Sequence, residues 1–199
     1  MGQEDFQRTT LREAIVRNRL WFVAVALLGF VAGCERARGP LPAQPITVSE
    51  TDAPEVRQAI EKHQGHVVLV DFWATWCLPC KELFPHTVAL YERRAEQGLA
   101  VISVSLDDAT MKPQVLQFLQ AQGATFDNFI SRYETAAEST QAFQIENDTL
   151  PCLKLYDRNG KLQKTFGGGE PVEPEVIDLA VEELLHKPAA AMAAATQGQ

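Results

Sequence analysis

The sequence predicts an α/β domain with a central mixed β-sheet flanked by helices, and three observations carry that prediction. VVLVDFW at 67–73 and LAVISVSL at 99–106 are unbroken apolar runs rich in β-branched residues, the pattern of strands buried on both faces. The stretch between them, 78–96, reads as helix, so the three elements make a parallel βαβ unit with a right-handed crossover. Farther on, CLKLYD and KLQKTF flank RNG, where Asn159-Gly160 supplies the turn of a hairpin.

Taken in order, the chain opens with a segment foreign to that fold. Arg8, Arg12, Arg17 and Arg19 precede the apolar run LWFVAVALLGFVAG at 20–33. A basic stretch followed by a run too short for a comfortable bilayer span is the pattern of a secretory signal. VAGC at 31–34 resembles the bacterial lipobox, which implies cleavage before Cys34 and a diacylglycerol on its sulfur. Two or more acyl chains hold a protein stably on a bilayer. An uncleaved signal anchor and ordinary signal cleavage are the alternatives, and Glu4, Asp5 and Glu13 make the n-region less typical. All three readings put the domain outside the cytoplasm. Residues 1–33 are therefore assigned to a lipoprotein-type signal peptide. Residues 34–45, with Pro40, Pro42 and Pro45, form a semi-rigid spacer after the lipidated cysteine. The folded domain spans 46–187, and the Ala-rich segment 188–199 is expected to be a disordered tail.

Within the domain, Asp52 and Glu55 bracket a helix start, and Ala53, Val56, Ala59 and Ile60 make its apolar stripe. After the first buried strand, the helix at 78–96 carries Pro85 as an internal kink. VLQFLQA at 115–121 continues as helix, FDNFI at 126–130 is a short strand or turn, and 133–143 is a modest helix. These last two are an inserted βα piece ahead of the hairpin. The closing helix, 174–186, gathers Val176, Ile177, Ala180, Val181, Leu184 and Leu185 on one face.

Composition excludes several classes. A formal net charge of −8 argues against a nucleic-acid surface, which needs a basic stripe. Four cysteines in 199 residues are too few for a disulfide-stapled mini-protein. GGG at 167–169 lacks the Lys and Ser/Thr of a phosphate loop and reads as a strand-to-helix turn. His86 and His186 read as solvated helix residues.

The cysteines must then be explained one by one. Cys77-Leu78-Pro79-Cys80 follows a buried strand and opens a helix. A thiol at a helix N-terminus feels the dipole and unpaired N–H groups, which favour its thiolate, and a second thiol one turn on can resolve what the first attacks. Zinc is a rival, because His63 and His66 precede the pair, but His66 leads straight into a strand and no tight knuckle joins the two pairs. Covalent haem attachment requires a histidine where Lys81 stands. Two buried core cysteines are the plainest alternative. The redox couple explains the placement best, with no metal. Cys152 reads as a buried structural cysteine, a third thiol reaching the site being the alternative.

VDFWATWCLPCK at 70–81 resembles the thioredoxin active-site segment, with the aromatic residues Phe72, Trp73 and Trp76. Leu150-Pro151, directly ahead of the hairpin, resembles the cis-proline loop that faces the cysteines in that superfamily. With the signal, spacer and inserted βα piece, the chain resembles the membrane-tethered TlpA/ResA-like thiol-disulfide oxidoreductases, over about residues 46–187. The resemblance implies a thioredoxin-like fold with the inserted βα element before the cis-Pro. It implies a Cys77–Cys80 disulfide, with Cys77 as nucleophile and Cys80 as resolving thiol. Pro151 would be the cis-proline, Leu150 the residue whose backbone pairs with an extended substrate, and Trp76 would line the rim.

That reading is of an enzyme of the bacterial cell envelope, facing the periplasm or extracytoplasmic side, with no cofactor beyond its own dithiol. It reduces disulfides of exported proteins, apocytochrome c among the candidates, and draws on an electron donor in or across the membrane. A disulfide oxidase or isomerase, a peroxidase, and a client-binding module without turnover are the alternatives. TlpA/ResA-like sequences commonly carry a glutamate three residues after the second cysteine; here that place is Leu83. Glu82 is about 100° around the helix and is expected to point elsewhere. Asp71, six residues before Cys77, takes the place of the buried acid of thioredoxins, and Ser103 stands where their neighbouring lysine would be. An isolated carboxylate there should have a raised pKa and serve as base toward Cys80, the alternative being a hydrogen-bonded structural residue.

Overall fold

A computed structural model describes residues 45–187. The segment read as a signal, the expected lipidation site Cys34, most of the spacer and the Ala-rich tail lie outside the described residues. Among the described residues, no helix is long and apolar enough to cross a membrane.

Eleven principal elements follow one another: β1 (Ser49–Thr51), α1 (Ala53–Lys62), β2 (Val67–Trp73), α2 (Leu78–Arg94), β3 (Leu99–Ser105), α3 (Lys112–Gln122), β4 (Asp127–Ser131), α4 (Ala136–Ala142), β5 (Cys152–Tyr156), β6 (Leu162–Gly167) and α5 (Pro174–His186). The strands form one sheet in the order β1-β4-β3-β2-β5-β6. Strands β1, β4, β3 and β2 run parallel, and β5 and β6 complete the sheet antiparallel. The sheet is mixed, as the two buried runs and the hairpin predict. The inserted piece places β4 between β1 and β3.

The first strand, β1, was not anticipated. It has three residues, only Thr51 is buried, and its pairing with β4 supplies what its own composition lacks. The α2 helix stops at Arg94, where a single 3₁₀ turn carries the chain to Gly98 at φ 100°. The α4 helix begins at Ala136, later than expected, because Thr135 caps it by accepting from the Glu138 N–H at 3.1 Å.

Burial follows the two-residue alternation of the strands. Val67, Leu69 and Trp73 of β2 face a core made with α2, α3 and α5, through Phe84, Leu119 and Val181 among others. Val68, Val70 and Phe72 face the opposite core with Val56 and Ile60 of α1 and Phe143. Trp73 is fully buried, its ring 4.9 Å from Phe84 and 4.7 Å from Phe118. Removing a side chain of this size from water is worth roughly 1.5–3 kcal/mol. The α1 helix starts with a capping box: Asp52 accepts from the Glu55 N–H at 2.9 Å, and Glu55 accepts from the Asp52 N–H at 3.2 Å. Such a cap contributes about 1 kcal/mol. It anchors the helix that backs the strand leading to the cysteines.

Candidate active site

Strand β2 delivers the chain to the carboxyl end of the parallel strands, where α/β sheets commonly build sites. There Cys77 caps α2, and its sulfur accepts from the Cys80 N–H at 3.2 Å. Cys77 and Cys80 are joined in a disulfide with S–S 2.02 Å and Cα–Cα 5.3 Å. In the reduced state the same helix-start N–H would stabilise a Cys77 thiolate. Cys77 is 6% exposed and Cys80 2%, so the first cysteine is the less buried of the two. Trp76 and Leu78, each 61% exposed, flank Cys77 with exposed apolar surface.

The loop that carries Trp76 is held from below by Asp107. This buried carboxylate accepts from the Thr75 N–H at 2.8 Å, the Thr75 hydroxyl at 2.5 Å and the Ser105 hydroxyl at 2.6 Å. Nothing in the SLDD motif singles it out beforehand. Its signal was position, just past the end of β3, where Trp73 pairs with Ser105.

Across a groove from Pro79 of the CxxC segment, the Leu150–Pro151 peptide is cis. The loop before it is pinned by Lys154, whose Nζ donates to the Phe143 and Gln144 carbonyls at 2.8 Å each, with the Phe72 ring 5.9 Å away. Behind it, Gly167 at φ 86° brings its backbone so close that an added Cβ would lie 1.9 Å from the Pro151 carbonyl oxygen. The GGG segment is therefore a turn with a steric demand on its first residue.

Asp71 sits in the middle of β2, 2% exposed, between Ser103 of β3 and Leu153 of β5. Its Oδ2 accepts from the Thr87 hydroxyl of α2 at 2.8 Å. Burial pushes the carboxyl up to about 7, the Thr87 bond pulling weakly the other way. Ser103 is engaged with Asn128, its hydroxyl donating to the amide oxygen at 2.7 Å. Thr87 went unnoticed in the sequence because a threonine inside a helix gives no local sign of what it faces.

Other expectations resolve as follows. Cys152 is fully buried in the core on the opposite face of the sheet from Cys77 and Cys80. Burial pushes its thiol up to about 11. His63 bonds Asp127 at 2.9 Å, at the other end of β2 from the cysteines. A seven-residue strand spans roughly 23 Å, far too much for one zinc ion to bridge both pairs. His86, expected to be solvated, is half-buried and bonds Asp178 at 2.9 Å, tying α2 to α5. Glu82 is exposed beside the buried Leu83, and both contribute to a groove with Leu150 and Pro151.

The pattern of the AhpC/TSA family matches residues 42–165. The chain belongs to that family. Among its relatives is the thiol-disulfide oxidoreductase ResA of Bacillus subtilis (strain 168), 25% identical over 163 residues, covering 79% of this chain and 86% of the relative. The ResA of Oceanobacillus iheyensis is 40% identical over 123 residues, 60% of each chain. A crystal structure from Chlorobium tepidum, of a protein assigned as the thiol:disulfide interchange protein DsbE, is 27% identical with a TM-score of 0.54. It aligns with 63% of this chain and 84% of its own. Within the family, then, this chain is a thiol-disulfide oxidoreductase of the ResA/DsbE type, with a thioredoxin-like fold and Cys77–Cys80 as its CxxC pair.

Proposed function

We propose that the protein is a membrane-tethered, extracytoplasmic reductase of disulfides in exported proteins. What supports this reading most is a helix-capping Cys77, the less buried of its pair, whose neighbour Pro79 shares one groove with the cis-Pro151 loop. The Cys77 thiolate attacks one sulfur of a client disulfide, a Cys77–client disulfide forms, and the other client sulfur leaves as a thiolate and is protonated. The Cys80 thiolate then attacks the Cys77 sulfur, regenerating the Cys77–Cys80 disulfide and releasing the second client thiol. Two electrons pass from the dithiol to the client, and an electron donor in or across the membrane restores them.

In this scheme Leu150 offers its backbone to an extended client, Pro151 keeps that stretch facing the cysteines, and Trp76 lines the rim. Asp71 accepts the proton that Cys80 loses. Exported cysteine proteins, apocytochrome c among them, are the client class. The tether is the lipid on Cys34. Wild-type chain should enter the detergent phase of a partition, and Cys34→Ala should stay aqueous or persist as precursor. Aqueous wild type would refute the tether.

Direction is tested by equilibrating the Cys77–Cys80 couple against glutathione and dithiothreitol buffers. A reductase should lie near thioredoxin, at about −270 mV, whereas a value near the about −120 mV of strong periplasmic oxidants would make the protein an oxidase.

A further inference from the structure

Beside the dithiol runs a groove of about 470 Å³, edged by Pro79 and Pro151 and floored by Leu83, Leu150 and Val172. Two carboxylates, Glu82 and Glu170, stand on its walls, both exposed. Among the described residues, no Lys, Arg or His lines it. Among the described residues, neither glutamate takes part in an ion pair, although Asp52, Glu55, Asp127, Asp178, Glu182 and Glu183 all do. An apolar floor under two unpaired charges of one sign suits a side chain with an aliphatic stem and a cationic head. The −8 net charge of the chain adds a field of the same sense.

Register narrows the occupant further. In an extended segment alternate side chains point the same way, about 6.6–6.8 Å apart. Along α2, Pro79 edges the groove two positions after Cys77, and Glu82, three positions on, lies on the same side of the helix as Pro79. When a client cysteine faces Cys77, a residue two places from it is within reach of that groove edge. We propose that the groove selects client segments carrying Lys or Arg two residues from the target cysteine. The stem of that residue lies on Leu83, Leu150 and Val172, and its charge is directed to Glu82 and Glu170. The proposal rests on the reading that Cys77 exchanges with client polypeptides.

Three peptides test it, identical except for Lys, Gln or Glu two residues from a single cysteine held as a disulfide with 2-mercaptoethanol. Each is mixed with the reduced full-length protein in mild detergent, and release of peptide thiol and 2-mercaptoethanol is followed as the dithiol becomes the Cys77–Cys80 disulfide. At low salt the Lys peptide should react roughly tenfold faster than the Glu peptide, with Gln between them. Salt near 0.5 M should nearly erase the order, since the screening length then falls to roughly 4 Å. In the Glu82→Gln, Glu170→Gln double variant the spread should shrink to within about twofold. Equal rates for all three peptides with the wild type would overturn the groove proposal and leave the dithiol reading intact. A preference that survives in the double variant would move its source away from the groove. Failure of every peptide to react would sink the underlying exchange reading instead.

Discussion

Asp71→Asn is expected to slow release of the client from its mixed disulfide by about a hundredfold, while formation of that mixed disulfide changes only a fewfold. The carboxyl lies on the same face of the sheet as Cys80, and among the described residues no cation is paired with it. Ser103 is committed to Asn128, Leu153 is apolar, and Thr87 is its hydrogen-bond donor. Lys154, one residue beyond Leu153, points to the other face, where it serves the Phe143 and Gln144 carbonyls. Burial therefore dominates and brings the carboxyl to about 7, where it can both take and return a proton near neutral pH.

Two signatures follow from that value. Wild-type resolution should accelerate as pH rises through about 7, because the ionised carboxylate is the base, and the variant should lose that inflection. Stability should respond in the opposite sense. A carboxyl raised from 3.8 to about 7 on folding favours the fold fully below about pH 3.8 and loses that increment as pH climbs through about 7. The penalty on the ionised form is at most about 4 kcal/mol, so above pH 7 the Asn variant should melt higher than the wild type. Stopped-flow rates and melting curves between pH 6 and 9 measure both. A resolution rate shared by variant and wild type at every pH would leave Asp71 a structural residue.

Gly167→Ala should cost about 3 kcal/mol or more and abolish exchange along with it. The added Cβ would meet backbone, the Pro151 carbonyl oxygen at 1.9 Å and its carbon at 3.0 Å, in a conformation at φ 86° that L-residues rarely adopt. No side-chain rotation relieves a clash with main chain, so either β6 separates from β5 at the Cys152–Gly167 pair or the proline loop shifts off the cysteines. For a domain of this size the melting temperature should drop by roughly 10 °C. Alanine at Gly169, where no atom lies within 4 Å of the added Cβ, meets backbone strain alone and should cost less. Equal losses at the two positions would show that backbone conformation, not the approach to Pro151, sets the requirement.

These two residues also mark the limits of what could be read from the sequence. The CxxC pair, the buried runs and the Asp52–Glu55 cap announce themselves through local pattern, because spacing, hydropathy and capping chemistry are local. The Leu150–Pro151 loop and Asp71 could be found only through resemblance, since one Leu-Pro step, or one acid inside an apolar run, looks like any other until its neighbours are known. Thr87, Asp107 and Lys154 act by contacts 16, 32 and 10–11 residues away in sequence, which no local pattern encodes. Strand β1 was missed because three residues are too few for a periodicity. Helix geometry separates the exposed Glu82 from the buried Leu83 but could not reveal that Gly169–Val172 would bring Glu170 to the groove that Glu82 lines.

The division of labour between the two cysteines is best tested by trapping. Full-length Cys80→Ser protein, reduced and mixed with its native envelope extract, should accumulate disulfide-linked clients through Cys77. Mass spectrometry should find every cross-link on that residue, while Cys77→Ser accumulates none. Clients trapped through Cys80 in the Cys77→Ser protein, with none on Cys77 in its counterpart, would contradict the assignment.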